Sequence, residues 1–302
     1  MAFMKMRLVY ASILMMGVLC LYFSMEPFME LSFVLKKGHG KFLQLPDIEC
    51  KQKPPFLVLL VTLSHKQLAA RMAIRKTWGR ETEVRGRHVK TLFLLGASDS
   101  TDEMNETAQE GKQHRDIIQR DFKDDYFNLT LKTMMGMEWV HHFCPQAAFV
   151  MKTDSDVFVN VGYLTDLLLK KNKTCRFFTG YIKPNELPIR QKSSKWFVSK
   201  FEYPWEKYPP FCSGSDVASK VYNVSESVPF LKLEDVFVRL CLAKLKIWRE
   251  ELHTKQTFFP GGLSFSVCRF RKIVTCHYMT PQDLLTYWEA LENSQEQDCS
   301  VV

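Results

Sequence analysis

Hydrophobic residues occur along this chain in short unbroken runs, and each run is bounded by polar or turn-forming residues. The three clearest runs lie at residues 54–62, 91–96 and 147–151. Runs so short and so uniformly apolar predict strands that are buried on both faces. The first follows a proline pair, which marks the start of a folded domain.

Between these runs, apolar residues recur at helical spacing. We predict helices at residues 64–79, with Ser64 as N-cap and Gly79 as its end, around residues 116–120, and at residues 130–143. Strands that alternate with helices predict an α/β fold with a largely parallel sheet.

The third apolar run ends in two carboxylates, Asp154 and Asp156, separated by one residue. Open α/β sheets bind their ligands beyond the carboxyl ends of the strands. Carboxylate oxygens suit Mg²⁺ or Mn²⁺, whose coordination substrate phosphates usually complete. The motif therefore predicts a metal site for a nucleotide sugar, although an ordinary turn after a strand is the alternative for such a motif alone.

Composition narrows the class of protein. The chain has 302 residues, of which 46% are hydrophobic and 25% charged, so it can bury the core of one large domain or two small ones. Its formal net charge of +8 is not concentrated in any basic block. The sequence contains no Gly-rich phosphate loop, zinc-finger spacing or internal repeat, which argues against nucleic-acid binding and P-loop chemistry.

The N-terminus has the pattern of a membrane anchor. Lys5 and Arg7 precede an uncharged run at residues 8–25, long enough as a helix to span roughly 27 Å. A cleaved signal peptide is the alternative, but the run is longer than usual and no clear cleavage site follows. We predict a cytosolic tail at residues 1–7, a transmembrane signal-anchor at 8–25, a luminal stem at 26–53 and a luminal domain at 54–302.

Two further features agree with a luminal domain. Sequons begin at Asn105, Asn128, Asn172 and Asn223. Of nine cysteines, all but Cys20 lie after the predicted anchor, where an oxidising compartment favours disulfides whose pairing the spacing does not reveal. Zinc binding or redox catalysis is the weaker alternative, because no Cys-x-x-Cys pair occurs.

Several segments together resemble the β-1,3-galactosyltransferase family, glycosyltransferase family 31. They lie at residues 71–78, 93–96, 116–118, 128–132, 152–156 and 234–236. The resemblance implies a type II Golgi membrane enzyme with a GT-A-type, Rossmann-like mixed sheet flanked by helices. It also implies an inverting, Mn²⁺-dependent transfer of galactose from UDP-galactose, in β-1,3 linkage, onto terminal N-acetylglucosamine of glycoproteins or glycolipids.

The resemblance also suggests roles for individual residues. Asp156 and Asp154 would bind the metal, Asp154 and Ser155 the donor, and His277 would resemble the family's C-terminal histidine as a third metal ligand. A core histidine in an apolar strand is the alternative for His277. Asp235 is our candidate for the base that deprotonates the acceptor. Glu234 is the second choice, because it would point elsewhere than Asp235 if the segment is extended. Without the resemblance, a helix N-terminus, where the dipole favours acids, is the preferred interpretation of these two residues.

Other candidates rest on residue type and spacing. Arg71 and Arg75 lie one helical turn apart and are candidates for binding the donor phosphates, although helical arginines commonly pair with carboxylates instead. Trp205 and Tyr208 belong to an aromatic cluster that would suit the apolar face of an acceptor sugar. Core packing is the alternative for that cluster.

Two departures from the family pattern affect the proposed base. After Gly214 the chain is shorter than the family by roughly six residues, which at about 3.3 Å per residue removes about 20 Å of chain from the substrate cleft. Arg239 stands where the family usually has glycine, a residue that often marks a close backbone approach. Because of these departures, a catalytically silent sugar-binding or partner-binding protein is an alternative to an active enzyme. Transfer of N-acetylglucosamine from its UDP donor is the other alternative.

Overall fold

The computed structural model describes residues 15–16, 40–80, 82–171, 178–181, 186–208, 215–247, 250–294 and 299. The chain divides into two compact units, Met1–His39 and Gly40–Val302. The predicted anchor at residues 8–25 lies outside the described residues except for Met15 and Met16. Among the described residues, no helix has the length and hydrophobicity needed to cross a membrane.

The described part of the second unit contains two β-sheets. The strands are β1 (Phe42–Gln44), β2 (Leu57–Thr62), β3 (Thr82–Val84), β4 (Arg87–Ala97), β5 (Ile117–Lys123), β6 (Phe149–Asp154), β7 (Val157–Val159), β8 (Phe258–Phe259) and β9 (Thr275–His277). The larger sheet has the order β1-β5-β4-β2-β6, with β3 also paired to β4. Strands β5, β4, β2 and β6 are parallel, whereas β1 and β3 are antiparallel to their neighbours. The fold is therefore mixed α/β, with a parallel centre.

Helices connect these strands and cover them. They are α1 (Leu68–Lys76), α2 (Thr101–His114), α3 (Leu129–Phe143), α4 (Val161–Leu169), α5 (Ser215–Ser225), α6 (Glu234–Lys244), α7 (Val267–Phe270) and α8 (Pro281–Asn293). The short 3₁₀ turns His65–Gln67 and Tyr126–Asn128 precede α1 and α3.

The three predicted strands and the helix predicted at residues 130–143 are confirmed. All six residues of β2 are buried, as its unbroken apolar run predicts for a strand covered on both faces. Strand β6 extends past the apolar run to Asp154. That extension carries the first aspartate of the motif to the carboxyl edge of the sheet.

The helix predicted around residues 116–120 is wrong, because this segment is strand β5. Ile117 and Ile118 pair with Phe93 and Leu94 of β4. Both isoleucine side chains are fully buried. The helix lies earlier in the chain, as α2. It ends at His114, and the left-handed backbone of its C-cap residue Arg115 (φ 54°) stops the helix two residues before β5.

Part of the predicted stem packs on the sheet. Residues 42–44 form β1, which pairs with β5, and Cys50 is bonded to Cys144 just beyond α3. A second disulfide joins Cys268 to Cys299. The compact unit Gly40–Val302 thus includes the last part of the predicted stem, and disulfides are present as the sequence predicts. Among the described cysteines, Cys241 and Cys276 are free and buried.

The smaller sheet positions the site. Strand β7 follows β6 after a two-residue turn and pairs antiparallel with β9, so that Val157 lies opposite His277. This register places His277 beside Asp156, the residue that precedes β7. A backbone hydrogen bond of 2.9 Å from Met279 to the carbonyl of Asp156 closes the same contact.

The disulfide between Cys50 and Cys144 gives a stability prediction. It closes a loop of 94 residues, whereas Cys268 and Cys299 are 31 residues apart. Replacing both Cys50 and Cys144 with Ser should lower the free energy of unfolding by about 2–5 kcal/mol, because the unfolded chain gains loop entropy. Replacing the second pair in the same way should cost about 1 kcal/mol less. Denaturant unfolding measures both, and a larger loss from the shorter loop would contradict this account.

Candidate active site

The carboxyl ends of two parallel strands hold the first aspartate of the motif. Thr62 at the end of β2 lies opposite Asp154 at the end of β6. The Thr62 hydroxyl donates a 2.6 Å hydrogen bond to Oδ1 of Asp154, and the Lys152 ammonium donates to the same oxygen at 2.7 Å. These two contacts fix Oδ1, so Oδ2 is the oxygen that Asp154 has left for a ligand.

Asp154, Asp156 and His277 converge at this edge of the sheet. One ligand atom from each residue lies within 4.8 Å of the others, in a partly buried position. Two carboxylates and an imidazole form a donor set that suits a divalent cation such as Mn²⁺. The structure thus brings together the three residues that the sequence predicts as metal ligands.

The hydrogen bonds of His277 fit a metal ligand. Its Nδ1 contacts the carbonyl oxygen of Pro260 at 3.2 Å, and since a carbonyl only accepts, Nδ1 carries a proton. Nε2 lies 3.1 Å from Oδ1 of Asp156. In the neutral ring, Nε2 would present a lone pair to a carboxylate, and a cation bound between the two atoms would remove that repulsion. A backbone partner on the other ring nitrogen is the usual support of a metal-binding histidine.

Tyr278 supports the same histidine and was not predicted from the sequence. Its ring stacks on the His277 ring with centroids 4.4 Å apart and planes inclined by 26°. Its backbone has a φ of 64°, a left-handed conformation that is costly for a residue with a bulky side chain. A lone tyrosine in the sequence gives no signal for this role, which depends on the register of β9.

Lys152 connects the metal site to helix α6, and the sequence did not predict that role either. Besides Asp154, its ammonium donates to Oε1 of Glu234 at 2.6 Å, and Oε2 of Glu234 accepts a 3.0 Å hydrogen bond from Thr133. Burial alone would lower the pKa of Lys152, but the charges of Asp154 and Glu234 outweigh it and raise that pKa. The lysine therefore stays charged between the two carboxylates.

Asp235 differs from Glu234 although the two are adjacent. They form the first turn of α6 rather than an extended segment, so the extended geometry considered from the sequence is wrong and the helix N-terminus is correct. Successive helical residues point about 100° apart. Glu234 points inward to Lys152, whereas the Asp235 side chain is 59% exposed and lies 3.6 Å from the Arg239 guanidinium. This geometry favours Asp235 over Glu234 as a base that a substrate can reach.

Arg71 and Arg75 have carboxylate partners in the structure. Arg71 is buried and donates to both oxygens of Glu110, at 2.8 and 2.7 Å, and also to the backbone carbonyl of Ser64. Arg75 donates to both oxygens of Asp116, at 2.8 and 2.9 Å. These bidentate pairs match the structural alternative noted from the sequence. Donor binding by the two arginines stays a prediction without support from this geometry.

The remaining sequence candidates lie around the site. Ser155 is buried, and its hydroxyl accepts a 2.8 Å hydrogen bond from Gln67. Trp205 is exposed and packs on Tyr203, as does Tyr208. The Tyr208 hydroxyl is buried without a hydrogen-bond partner among the described residues. Burial raises the pKa of Tyr208 to about 12, and the nearby Asp235 and Glu186 charges act in the same direction, so the phenol is neutral and can donate.

The two departures from the family pattern have different outcomes. Arg239 lies inside α6 with an ordinary helical backbone, so no glycine-specific conformation is needed there. Its guanidinium donates to Glu186 at 2.7 Å, which accommodates the larger side chain. Residues 209–214, where the shortened segment begins, lie outside the described residues.

The sequons differ in their surroundings. Asn105 on α2 and Asn223 on α5 are exposed. Asn128 is partly buried, and its side-chain amide donates a 2.9 Å hydrogen bond to the carbonyl of Lys123. Asn172 lies outside the described residues. Glycan attachment stays a prediction at all four positions.

Comparisons with known proteins give the class of this mixed α/β protein, which has a carboxylate and imidazole cluster at its strand ends. The galactosyltransferase family model matches residues 69–253, and the chain belongs to this family. It is 80% identical over 308 residues to mouse beta-1,3-galactosyltransferase 5 and 67% identical over 311 residues to the human protein of that name, with full coverage of each chain. It is 40% identical to human beta-1,3-galactosyltransferase 2, over 87% of this chain and 64% of that one.

Two further comparisons complete these findings. The alignment with the mouse protein runs over 308 residues, more than the 302 of this chain, so this chain lacks residues that its relative has. Among solved structures, the WbbM bifunctional glycosyltransferase in its apo form matches with a TM-score of 0.41 and 11% identity, over 85% of this chain and 53% of that one. A similarity of that size carries no argument about function.

The contact between Lys152 and Glu234 gives a second prediction. Replacing Lys152 with Met should destabilise the protein by about 3 kcal/mol, because the Glu234 carboxylate is left without its cation in a mostly buried position. The double variant Lys152→Met with Glu234→Gln should recover part of that loss, since the buried Glu234 charge is removed while the half-exposed Asp154 keeps its hydrogen bond from Thr62. Chemical denaturation measures both variants.

The control for this experiment is an exposed ion pair. Lys53 contacts Glu83 at 3.2 Å with both side chains more than half exposed, so Lys53→Met should change the stability by less than about 1 kcal/mol. A double variant as unstable as the single Lys152 variant would contradict the pairing account.

Proposed function

We propose that this protein is an inverting β-1,3-galactosyltransferase that moves galactose from UDP-galactose onto terminal N-acetylglucosamine of glycoproteins or glycolipids. The observation that carries the proposal is the 80% identity, over the full length of both chains, to a mouse protein named beta-1,3-galactosyltransferase 5. The cluster of Asp154, Asp156 and His277 supports it, because a diphosphate leaving group needs a cation beside it.

The donor side of the site follows from the residues at the strand ends. Asp154 through Oδ2, Asp156 and Nε2 of His277 would hold a Mn²⁺ ion. When bound, that ion would neutralise the charge that grows on the UDP diphosphate as the glycosidic bond breaks. Thr62 and Lys152 hold Asp154 in place, while Pro260 and Tyr278 hold His277. Rigid support of this kind fixes the ligand atoms before the donor arrives.

The acceptor side begins at the N-terminus of α6. Asp235 takes the proton of the acceptor hydroxyl while that oxygen attacks the anomeric carbon of galactose. A new carbon–oxygen bond forms, the bond to the UDP oxygen breaks, and its electron pair leaves with UDP. One displacement inverts the anomeric configuration. Trp205 and Tyr208 are proposed to bind the acceptor sugar, and the exposed Trp205 ring is the one that a sugar face can reach.

We also propose the cellular setting. Residues 8–25 would anchor the protein in the Golgi membrane in a type II orientation, with residues 1–7 cytosolic and the catalytic domain in the lumen. The two disulfides among the described residues support an oxidising compartment. The GT-A type of the mixed sheet belongs to the same proposal.

A transfer assay with the purified protein and Mn²⁺ tests the proposed function. UDP-galactose should support transfer onto an N-acetylglucosamine-terminated acceptor, and UDP-N-acetylglucosamine should not. Asp235→Asn should lower the turnover number by about 10²–10⁴, because the amide cannot take a proton, while UDP binding stays within about twofold. Transfer from neither donor by the folded wild type would instead favour the silent binding protein, and equal losses of turnover and UDP binding would point to a structural Asp235.

The metal site is tested by binding rather than by activity. Asp156→Ala should abolish the Mn²⁺-dependent part of UDP binding in calorimetry, because the cation loses one of its ligands. Asp166→Ala is the matched control, since this partly exposed carboxylate pairs with Arg85 at 2.8 Å and is no part of the cluster. If Asp156→Ala and Asp166→Ala bind UDP alike, Asp156 is not a ligand.

A further inference from the structure

Exposed aromatic side chains lie on one rim of the candidate active site. Tyr126, Phe127 and Trp196, which we call the aromatic rim, are 44%, 50% and 48% exposed. Tyr126 and Phe127 come from the 3₁₀ turn before α3, and Trp196 comes from a distant loop. Single exposed aromatic rings are common on protein surfaces, but a group of them rimmed by polar residues is typical of an interaction site.

The aromatic rim contacts the segment that precedes α6. The Thr130 hydroxyl, one turn after Phe127, donates a 2.7 Å hydrogen bond to the carbonyl of Leu231. The Lys232 ammonium lies 5.4 Å from the centre of the Phe127 ring. Residues 231 and 232 precede Asp235 by one turn, so the rim stands beside the proposed base.

The Tyr126 phenol faces the charged groups of the site. Burial of the ring raises the pKa of Tyr126, a hydrogen bond from Trp196 lowers it, and the negative charges of Asp235, Glu234 and Asp154 raise it again. Because the charges of all three carboxylates act on its pKa, the Tyr126 phenol lies near the proposed reacting centre as well as near the surface. The phenol stays protonated at neutral pH and is available as a donor.

Tyr126 and Trp196 form one unit. The Lys195 ammonium lies 5.3 Å from the Tyr126 ring centre and 4.6 Å from that of Trp196, and the Trp196 side chain acts on the Tyr126 hydroxyl by lowering its pKa. The lysine contacts both rings, which orients them, while about half of each aromatic side chain remains exposed. Two oriented rings next to an ammonium donor make a surface that is apolar across the middle and polar at the edge.

This combination suits a pyranose ring. A sugar with equatorial hydroxyls has an apolar face of C–H groups and a polar circumference, so it packs on aromatic rings and donates or accepts at their edges. We propose that Tyr126 and Trp196 form the acceptor subsite, against which the apolar face of the acceptor's terminal sugar packs, with Lys195 binding its hydroxyl or N-acetyl oxygens. This inference rests on the proposed function and names residues that bind its acceptor.

Acceptor kinetics of the full-length protein test the subsite. Tyr126→Ala and Trp196→Ala should each raise the acceptor KM at least about tenfold, with the donor KM within about twofold, because neither residue belongs to the cluster proposed to hold the metal and donor. Tyr126→Phe keeps the ring and should lose less than Tyr126→Ala. UDP binding in calorimetry should match the wild type for all three variants, which excludes general misfolding.

Phe143→Ala is the matched control. Phe143 is 43% exposed like Tyr126, but it ends α3, about 21 Å from the start of this 15-residue helix. It should leave the acceptor KM unchanged. If the wild type transfers galactose while Tyr126→Ala and Trp196→Ala keep the wild-type acceptor KM, the subsite is overturned and the proposed function stands.

A binding measurement separates the two hypotheses where transfer fails. If the wild type transfers nothing, the proposed function fails, and saturation-transfer NMR with an N-acetylglucosamine-terminated disaccharide still tests the rim. Binding by the wild type and Phe143→Ala, with loss in Trp196→Ala, would support the subsite. No binding by the wild type, or equal binding by all variants, would overturn it.

Discussion

The Lys152 ammonium lies between two carboxylates, Asp154 and Glu234, and the geometry of the candidate site depends on that contact. One acid ends strand β6 and the other begins helix α6, 80 positions later in the chain. Taking the Lys152 cation and the Glu234 anion largely out of water costs several kcal/mol per ion unless each is paired and hydrogen-bonded, whereas Asp154 stays about half exposed. Thr62 and Thr133 supply the additional hydrogen bonds. The arrangement is therefore costly to disturb, which keeps the sheet edge and the helix N-terminus at a fixed separation.

The contact with Lys152 also gives the two acids at the start of α6 different surroundings. Both are favoured there by the helix dipole. The inward acid, Glu234, is held by Lys152 and Thr133, which anchors the first turn of the helix. Asp235, the next residue, points about 100° away around the helix and therefore keeps an accessible carboxylate. A pair of adjacent acids thus serves two purposes, one structural and one proposed for catalysis, because the helix points them in different directions.

The sequence predicted the features that depend on local pattern. The runs that become β2, β4 and β6 are apolar enough to be recognised, and two aspartates after such a strand point to a site at its end. Features that depend on distant pairing were missed or misjudged. The partners of Arg71 and Arg75 are Glu110 and Asp116, about 40 positions away, and the register of β7 against β9 is what brings Asp156 to His277.

The error at residues 116–120 has a similar cause. Two isoleucines followed by polar residues suit a short helix as well as a strand. The segment forms a strand because it pairs with the edge of β4. Lys152 was overlooked because a lysine near the end of an apolar strand resembles an ordinary boundary residue. Its role becomes visible only when α6 is folded against β6.

Helix α6 links the two sides of the proposed acceptor cleft. On one side, Thr130 and Lys232 fasten the aromatic rim to the segment just before the helix. On the other, Arg239 binds Glu186, whose backbone carbonyl accepts a hydrogen bond from Tyr208. Arginine at this position therefore adds a contact between the helix and the Tyr208 segment, where the family pattern has only glycine. The same helix contacts the candidate metal cluster through Glu234 and Lys152. The proposed donor and acceptor halves of the site are therefore connected through contacts made by the first two turns of this helix and the segment before it.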